Sequence, residues 1–192
     1  MQVVKLGGSL NREPRLREWL QLIATAGAGA VVLVPGGGGF ADQVREHQAQ
    51  WRFDDLAAHN MAILAMMQSA ILLQRLSRGL ELASTASEIS RVLQSYKVPV
   101  WSPSEWLCGE AGNMTHWGAT SDSLAAWLAG RMGARRLVLV KSCEIDRTIE
   151  LAQQVERGVL DADFCRVAAG ARYSIELLGI NELPRMRTLL SN

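Results

Sequence analysis

Two glycine loops, each closing an apolar run, constrain this chain more than any other feature. The first, Lys5-Leu6-Gly7-Gly8-Ser9, follows Val3-Val4, and the second, Pro35-Gly36-Gly37-Gly38-Gly39-Phe40, follows Ala30-Val31-Val32-Leu33-Val34. A short apolar run that stops at glycine and gives way to a helical pattern reads as a buried strand feeding a helix. Glycine also lets backbone N–H groups turn toward an anion with no Cβ in the way. A helix opening behind such a loop adds its own free N–H groups and partial positive charge. Four consecutive glycines cost more conformational entropy than a plain turn needs, which points to a backbone that must come close to something.

The rest of the chain extends the alternation. Apolar runs at 2–6, 30–34, 98–101, 136–140 and 172–177 read as strands. Helical periodicity covers 13–26, 40–50, 54–78, 87–96, 148–157, 162–169 and 183–190, and a further helix capped by Thr120 or Ser121 runs to 132. Pro14 suits a first helical turn and Ser87 an N-cap. The helix over 54–78 is apolar around much of its circumference, so it is expected to be largely buried, with its methionine-rich side serving as packed core or as a dimer surface. Strands that are apolar throughout belong to a parallel sheet covered on both faces. The expectation is an α/β fold, a three-layer αβα sandwich with a mainly parallel central sheet, formed by residues 1–192 as a single domain. Ligands in such folds sit beyond the carboxyl ends of the strands, where both glycine loops and Lys141 fall.

Composition narrows the partners. The net charge is +1 and 20% of residues are charged, so no global field suits nucleic acid. The most apolar stretch, 61–73, is interrupted by Gln68 and Ser69 and is too short to span a bilayer, so no membrane partner is expected. Cys108, Cys143 and Cys165 are widely spaced, which argues for a reducing cytoplasm, against a zinc cluster, and for small core residues. No metal ligand set is expected.

Four signals combine into chemistry. Lys5 with Gly7, Gly8 and Ser9 forms one cradle, and Gly36, Gly37, Gly38 and Gly39 form a second. Asp122 opens a helix within Thr120-Ser121-Asp122-Ser123, and Lys141 ends a strand. Phosphoryl transfer needs alignment and charge stabilisation more than covalent help. Two lysines can hold donor and acceptor phosphates, and Asp122 can hold both lysines by ion pairing. Residues 36–41 also satisfy a loose dinucleotide pattern. That reading leaves the Lys5 loop unused and puts Asp54 and Asp55 at a helix start, where a ribose-binding acid should end a strand.

The ordered motifs Lys5-Leu6-Gly7-Gly8-Ser9, Pro35-Gly36-Gly37-Gly38-Gly39-Phe40-Ala41 and Thr120-Ser121-Asp122-Ser123-Leu124-Ala125 resemble the amino acid kinase family, which includes acetylglutamate, aspartate, uridylate and isopentenyl phosphate kinases. Pro103-Ser104 followed by His116-Trp117-Gly118-Ala119-Thr120 resembles the subgroup that phosphorylates an aminomethylfuran phosphate in methanofuran biosynthesis, a one-carbon carrier pathway. The resemblance implies ATP as donor, with Mg²⁺ carried on its phosphates. It implies Lys5, Asp122 and Lys141 as the catalytic set, and Lys5, Gly7, Gly8, Ser9, Lys141 and Ser142 around the nucleotide phosphates. It implies Gly36, Gly37, Gly38, Gly39, His59, Asn113, His116, Trp117 and Thr120 around the acceptor, with Asn60 a further candidate. In the subgroup the acceptor is itself a phosphate, so the product is a diphosphate. A homodimer or higher homo-oligomer is also expected. One departure stands out: after Val140 the chain reads Lys141-Ser142-Cys143-Glu144-Ile145-Asp146, where members of the family carry Thr-Asp-x-x-Gly. A kinase, and a kinase fold that binds nucleotide or oxyanion without turnover, both remain open.

Overall fold

A computed structural model of the protein describes residues 1–106 and 115–191. It contains β1 (Gln2–Leu6), α1 (Leu16–Ala26), β2 (Val31–Pro35), α2 (Gly38–Trp51), α3 (Asp55–Leu76), β3 (Leu80–Ala83), α4 (Ala86–Gln94) and β4 (Val98–Trp101). It continues with α5 (Ser121–Arg131), β5 (Arg136–Lys141), α6 (Leu151–Glu156), α7 (Phe164–Val167), β6 (Ser174–Gly179) and α8 (Leu183–Ser191). The strands form one six-stranded sheet in the order β3-β4-β2-β1-β5-β6, and every pairing is parallel.

β1 is central, and all five of its residues are buried. Strand alternation sends successive side chains to opposite faces, so Val3 and Val4 enter different core clusters. Val3 joins Val32, Leu137 and Leu139 beneath α5 and α7, while Val4 joins Trp19, Ile23, Leu33 and Met186 beneath α1 and α8. Helices therefore cover both faces, as the apolar strands require. The decisive register pairs Lys5 with Val34 on one side and Leu139 on the other, so the β1, β2 and β5 ends lie abreast.

Several local expectations change. β3, Leu-Glu-Leu-Ala, is a strand the sequence does not announce, because it is only four residues long and has no β-branched or aromatic residue; its pairing with β4 makes it an edge strand. The cap of α4 is Thr85, in a capping box with Glu88, and Ser87 instead bonds the Thr85 hydroxyl. α2 begins at Gly38, so the last two glycines of the loop lie inside the helix. α6 and α7 are shorter than their periodicity. Cys143 and Cys165 are exposed, not core residues, because each falls outside the buried faces of its segment; Cys108 lies outside the described residues. α3 is anchored by the Asp54 side chain accepting from Ala57 N at 2.8 Å. It buries Ile63, Met66, Ala70 and Leu73, but Leu56, Met61, Leu64 and Ile71 are exposed, the last at 51%. The helix is therefore covered on one side only.

Candidate active site

Three elements bring three charges to one point. β1 delivers Lys5, β5 delivers Lys141, and α5, packed across β1, delivers Asp122 from its first turn. Lys5 Nζ stands 2.7 Å from Asp122 Oδ1, and Lys141 Nζ donates to Asp122 Oδ2 at 2.5 Å. Lys5 and Asp122 are both buried. Burial pushes the Asp122 carboxyl up, but the Lys5 and Lys141 charges outweigh it and hold the group below its ordinary value. Burial and the Lys5 charge bring Lys141 down to about 8, against the pull of Asp122. Lys141 is therefore charged below about pH 8 and neutral above it. Within the bridge two ammonium groups share one carboxylate, and Asp161 in the same lining adds a second carboxylate nearby, so the lysines offer a phosphate chain local donors and not a net positive field.

The two glycine loops touch. A Cβ on Gly8 would lie 2.1 Å from Gly38 N, and one on Gly36 would lie 2.3 Å from Gly8 N. Gly38 has φ +57, a conformation glycine accepts freely. Gly7 N donates to Val140 O at 2.9 Å and Gly36 N to Leu6 O at 2.9 Å, so these two amides extend the sheet and do not face a ligand. Asn11 Nδ2 donates to Ser69 Oγ, which donates to Gly37 O, stitching α3 to both loops.

Two cavities meet across this junction. One, of about 300 Å³, is lined by Lys5, Gly7, Lys141, Ser142 and Asp161, and the other, of about 220 Å³, lies between α2, α3 and α5. The second is walled by Gly37, Gly38, His59, His116 and Trp117, over a floor that includes Ile63 and Met66. Gly8, Ser9 and Thr120 line both. Ser9 and Ser142 are hydrogen-bonded at 2.9 Å across the mouth of the first. Trp117 is held by Arg45, 4.4 Å from the ring centroid, and by an Nε1–H bond to Gln48 Oε1. His116 accepts from Gly118 N at Nδ1 and sets Nε2 3.3 Å from Asp163. Gly36, Gly39 and Asn60 line neither cavity, and Asn113 lies outside the described residues.

Among the described residues no group of three or more His, Cys, Asp or Glu could hold a metal ion. Asp122 is already engaged by two ammonium groups, so a resident metal does not fit here. A phosphate chain does fit the first cavity, on the chemistry of its two lysines, its glycine loop and its Ser9 and Ser142 hydroxyls.

The family model of the amino acid kinase family matches residues 1–144. The chain belongs to the amino acid kinase family. It is 26% identical over 140 residues to the [5-(aminomethyl)furan-3-yl]methyl phosphate kinase of Methanocaldococcus jannaschii, an alignment covering 72% of this chain and 64% of that relative's length. The uridylate kinase of Archaeoglobus fulgidus superposes with a TM-score of 0.74 at 18% identity, over 100% of this chain and 96% of that one. The UMP kinase of Bacillus anthracis superposes with a TM-score of 0.68 at 15% identity, over 99% and 91%. These structures share the fold. The amino acid kinase model stops at Glu144, within the stretch after Val140 that departs from the family pattern.

Two features of the site have no motif behind them. Asp161, which accepts from Thr120 and Ser123, sits in no recognisable motif. Lysine is scarce: among 20 Lys and Arg residues only Lys5, Lys97 and Lys141 are lysine, and two of these three are in the site. A chain that uses arginine almost everywhere else has kept the compact ammonium group where two cations must share one carboxylate.

Proposed function

We propose that this protein transfers a phosphoryl group from ATP to a small phosphorylated metabolite, giving a diphosphate. The observation that carries the reading is the buried Lys5–Asp122–Lys141 bridge at the junction of two cavities. Donor phosphates occupy the lysine-lined cavity and the acceptor the cavity between α2 and α3, so that beside Gly8 an acceptor phosphate oxygen attacks the γ-phosphorus and the β,γ-bridging oxygen leaves with ADP. Mg²⁺ carried on the nucleotide would supply charge neutralisation of the phosphates, which Lys5, Lys141 and the Gly8 loop would hold. Lys5 and Lys141 hold the phosphates and take up charge as it spreads over the equatorial oxygens, while Asp122 keeps the ammonium groups apart and oriented. The acceptor cavity offers the Trp117 ring, His59, His116 and an apolar floor, and has Asp42 and Asp55 in its lining. That chemistry favours a small flat ring with an amine at one end and a phosphate at the other, such as an aminomethylfuran phosphate in one-carbon carrier synthesis. The setting is cytoplasmic.

The test is ADP release with ATP and Mg²⁺ across phosphorylated acceptors, including UMP and [5-(aminomethyl)furan-3-yl]methyl phosphate. Turnover is expected with at least one, and Lys5→Ala is expected to lower kcat roughly 100–1,000-fold, the scale for losing one charge-stabilising donor. Near-normal turnover by a folded Lys5→Ala protein would remove the assigned role. The segment Ser142-Cys143-Glu144 favours a second reading, a fold that binds nucleotide without turnover. Calorimetric ATP binding with no ADP from any acceptor selects it.

We also propose a homodimer formed through α3, a reading supported by the exposed Leu56, Met61, Leu64 and Ile71 on that helix. Light scattering is expected to show a dimer that Leu64→Glu converts to monomer. A monomeric parent protein at micromolar concentration would reject this.

A further inference from the structure

Helix α5 is capped from outside itself. Its N-cap residue, Thr120, makes no side-chain cap bond to its own helix. Instead Asp161, in the segment leading to α7, accepts from Thr120 N at 2.9 Å, Thr120 Oγ1 at 2.9 Å, Ser123 N at 2.9 Å and the Ser123 hydroxyl. Two of these donors are main-chain amides at the start of the helix, the groups a cap must satisfy. Asp122 lies between the two anchored residues. The Asp161 segment is itself fixed at both ends, by buried Leu160 in the core beside α5 and by Asp163 N donating to Gly118 O at 2.8 Å. The same segment lines the lysine cavity.

We infer that Asp161 is a positioning residue for the proposed phosphoryl transfer: by capping α5 from another segment it sets Asp122 between Lys5 and Lys141 and so fixes the charge spacing that the phosphates meet. The inference rests on the kinase reading. Asp161 also fills the place at the α5 N-terminus where an anion would otherwise dock, which leaves the lysines and glycine loops as the phosphate's partners. The charged groups facing Lys141 are Lys5 from β1, Asp122 from α5 and Asp161. The two carboxylates favour its charged form, while Lys5 opposes it.

The test uses the full chain with Asp161→Asn, which keeps an acceptor for the amides but removes the charge, and Asp161→Ala, which removes both. With only three lysines, side-chain ¹³C-labelled lysine gives three NMR titrations, and Lys97→Arg assigns the surface one. In both variants the lysine that titrates near pH 8 in the parent protein is expected to titrate lower, and the alkaline limb of kcat/KM is expected to move with it. Asp161→Ala is expected to lower kcat roughly 10–100-fold, the scale of a small misplacement of catalytic groups, with little change in KM for ATP or acceptor. Asp161→Asn is expected to stay near the parent melting temperature. A folded Asp161→Ala protein with a lowered melting temperature but unchanged lysine titrations and kcat would make Asp161 a plain helix cap and overturn the inference. If the parent protein turns over no acceptor, the kinase reading fails, while the lysine titrations still decide whether Asp161 sets the charge cluster.

Discussion

Asp122→Ala is expected to lose both turnover and about 3–5 kcal/mol of stability, the cost of breaking a buried ion pair by removing one partner. The substitution leaves Lys5 and Lys141 facing each other with the shared carboxylate gone. Lys5 is only 4% exposed and cannot swing into water, whereas Lys141 already sits near 8 and is the group that gives up its proton. The folded variant then binds fewer protons than its unfolded chain, in which Lys141 regains an ordinary lysine pKa. Stability of the variant is therefore expected to rise with pH between neutrality and about pH 10, and its deficit against the parent protein to shrink. Denaturant titrations at pH 7 and pH 9 check this. A deficit that is equal at both, or larger at pH 9, would mean that the lysines are not held in mutual repulsion. Turnover is expected to fall at least as far as in Lys5→Ala, because neither ammonium group is then oriented.

Gly8→Ala is expected to be as damaging for a different reason. Its new Cβ would meet Gly38 N at 2.1 Å and Gly38 Cα at 2.5 Å, and both are backbone atoms that no rotamer change can move. The loops after β1 and β2 must separate, at about 1–3 kcal/mol for overpacking. Gly8 lines both cavities, so the separation displaces donor and acceptor together. A displacement on the order of 1 Å is enough for roughly 100-fold in rate. Gly130→Ala is the matched control. Its Cβ would come no nearer than 3.9 Å to Tyr173, on an exposed turn of α5, and it is expected to gain about 0.5–1 kcal/mol from helix propensity. Thermal melts and kcat for the pair separate a steric clash from a general dislike of substituted glycines.

What could be read from the sequence was what depends on neighbours along the chain. β1, β2 and their loops were legible because an apolar run followed by glycine is a local signal, β5 because it is an unbroken apolar run, and the parallel sheet followed from strands apolar on both faces. Lys5 and Asp122 were nameable from ordered motifs, and Lys141 from its place at the end of a strand. Their shared ion pair depends on the register of β1 against β5 and on the crossing of α5, which no spacing reveals. β3 was missed because Leu80-Glu81-Leu82-Ala83 has no strand preference of its own and becomes a strand only by pairing with β4. The exposure of Ile71 and Leu64 on an otherwise apolar α3 was hidden, since composition cannot say how many sides of a helix the fold covers. Asp161 was invisible for the same kind of reason: a cap supplied across 38 residues is a property of loop geometry. Gly7 and Gly36 looked like ligand donors, but their amides complete the sheet.

The central place of β1 also sets an order of events during biosynthesis. Its partners are β2, about thirty residues on, and β5, more than 130 residues on, paired as Gln2 with Val31 and Gln2 with Arg136. Until β5 has emerged from the ribosome, one side of a fully buried strand is an open edge that can pair with another chain. Lys5 precedes Asp122, Lys141 and Asp161 in the chain, so its charge is framed only after they have been made. That open edge is a route to aggregation until β5 is in place, and β6, which carries no site residue, then completes the sheet beside β5.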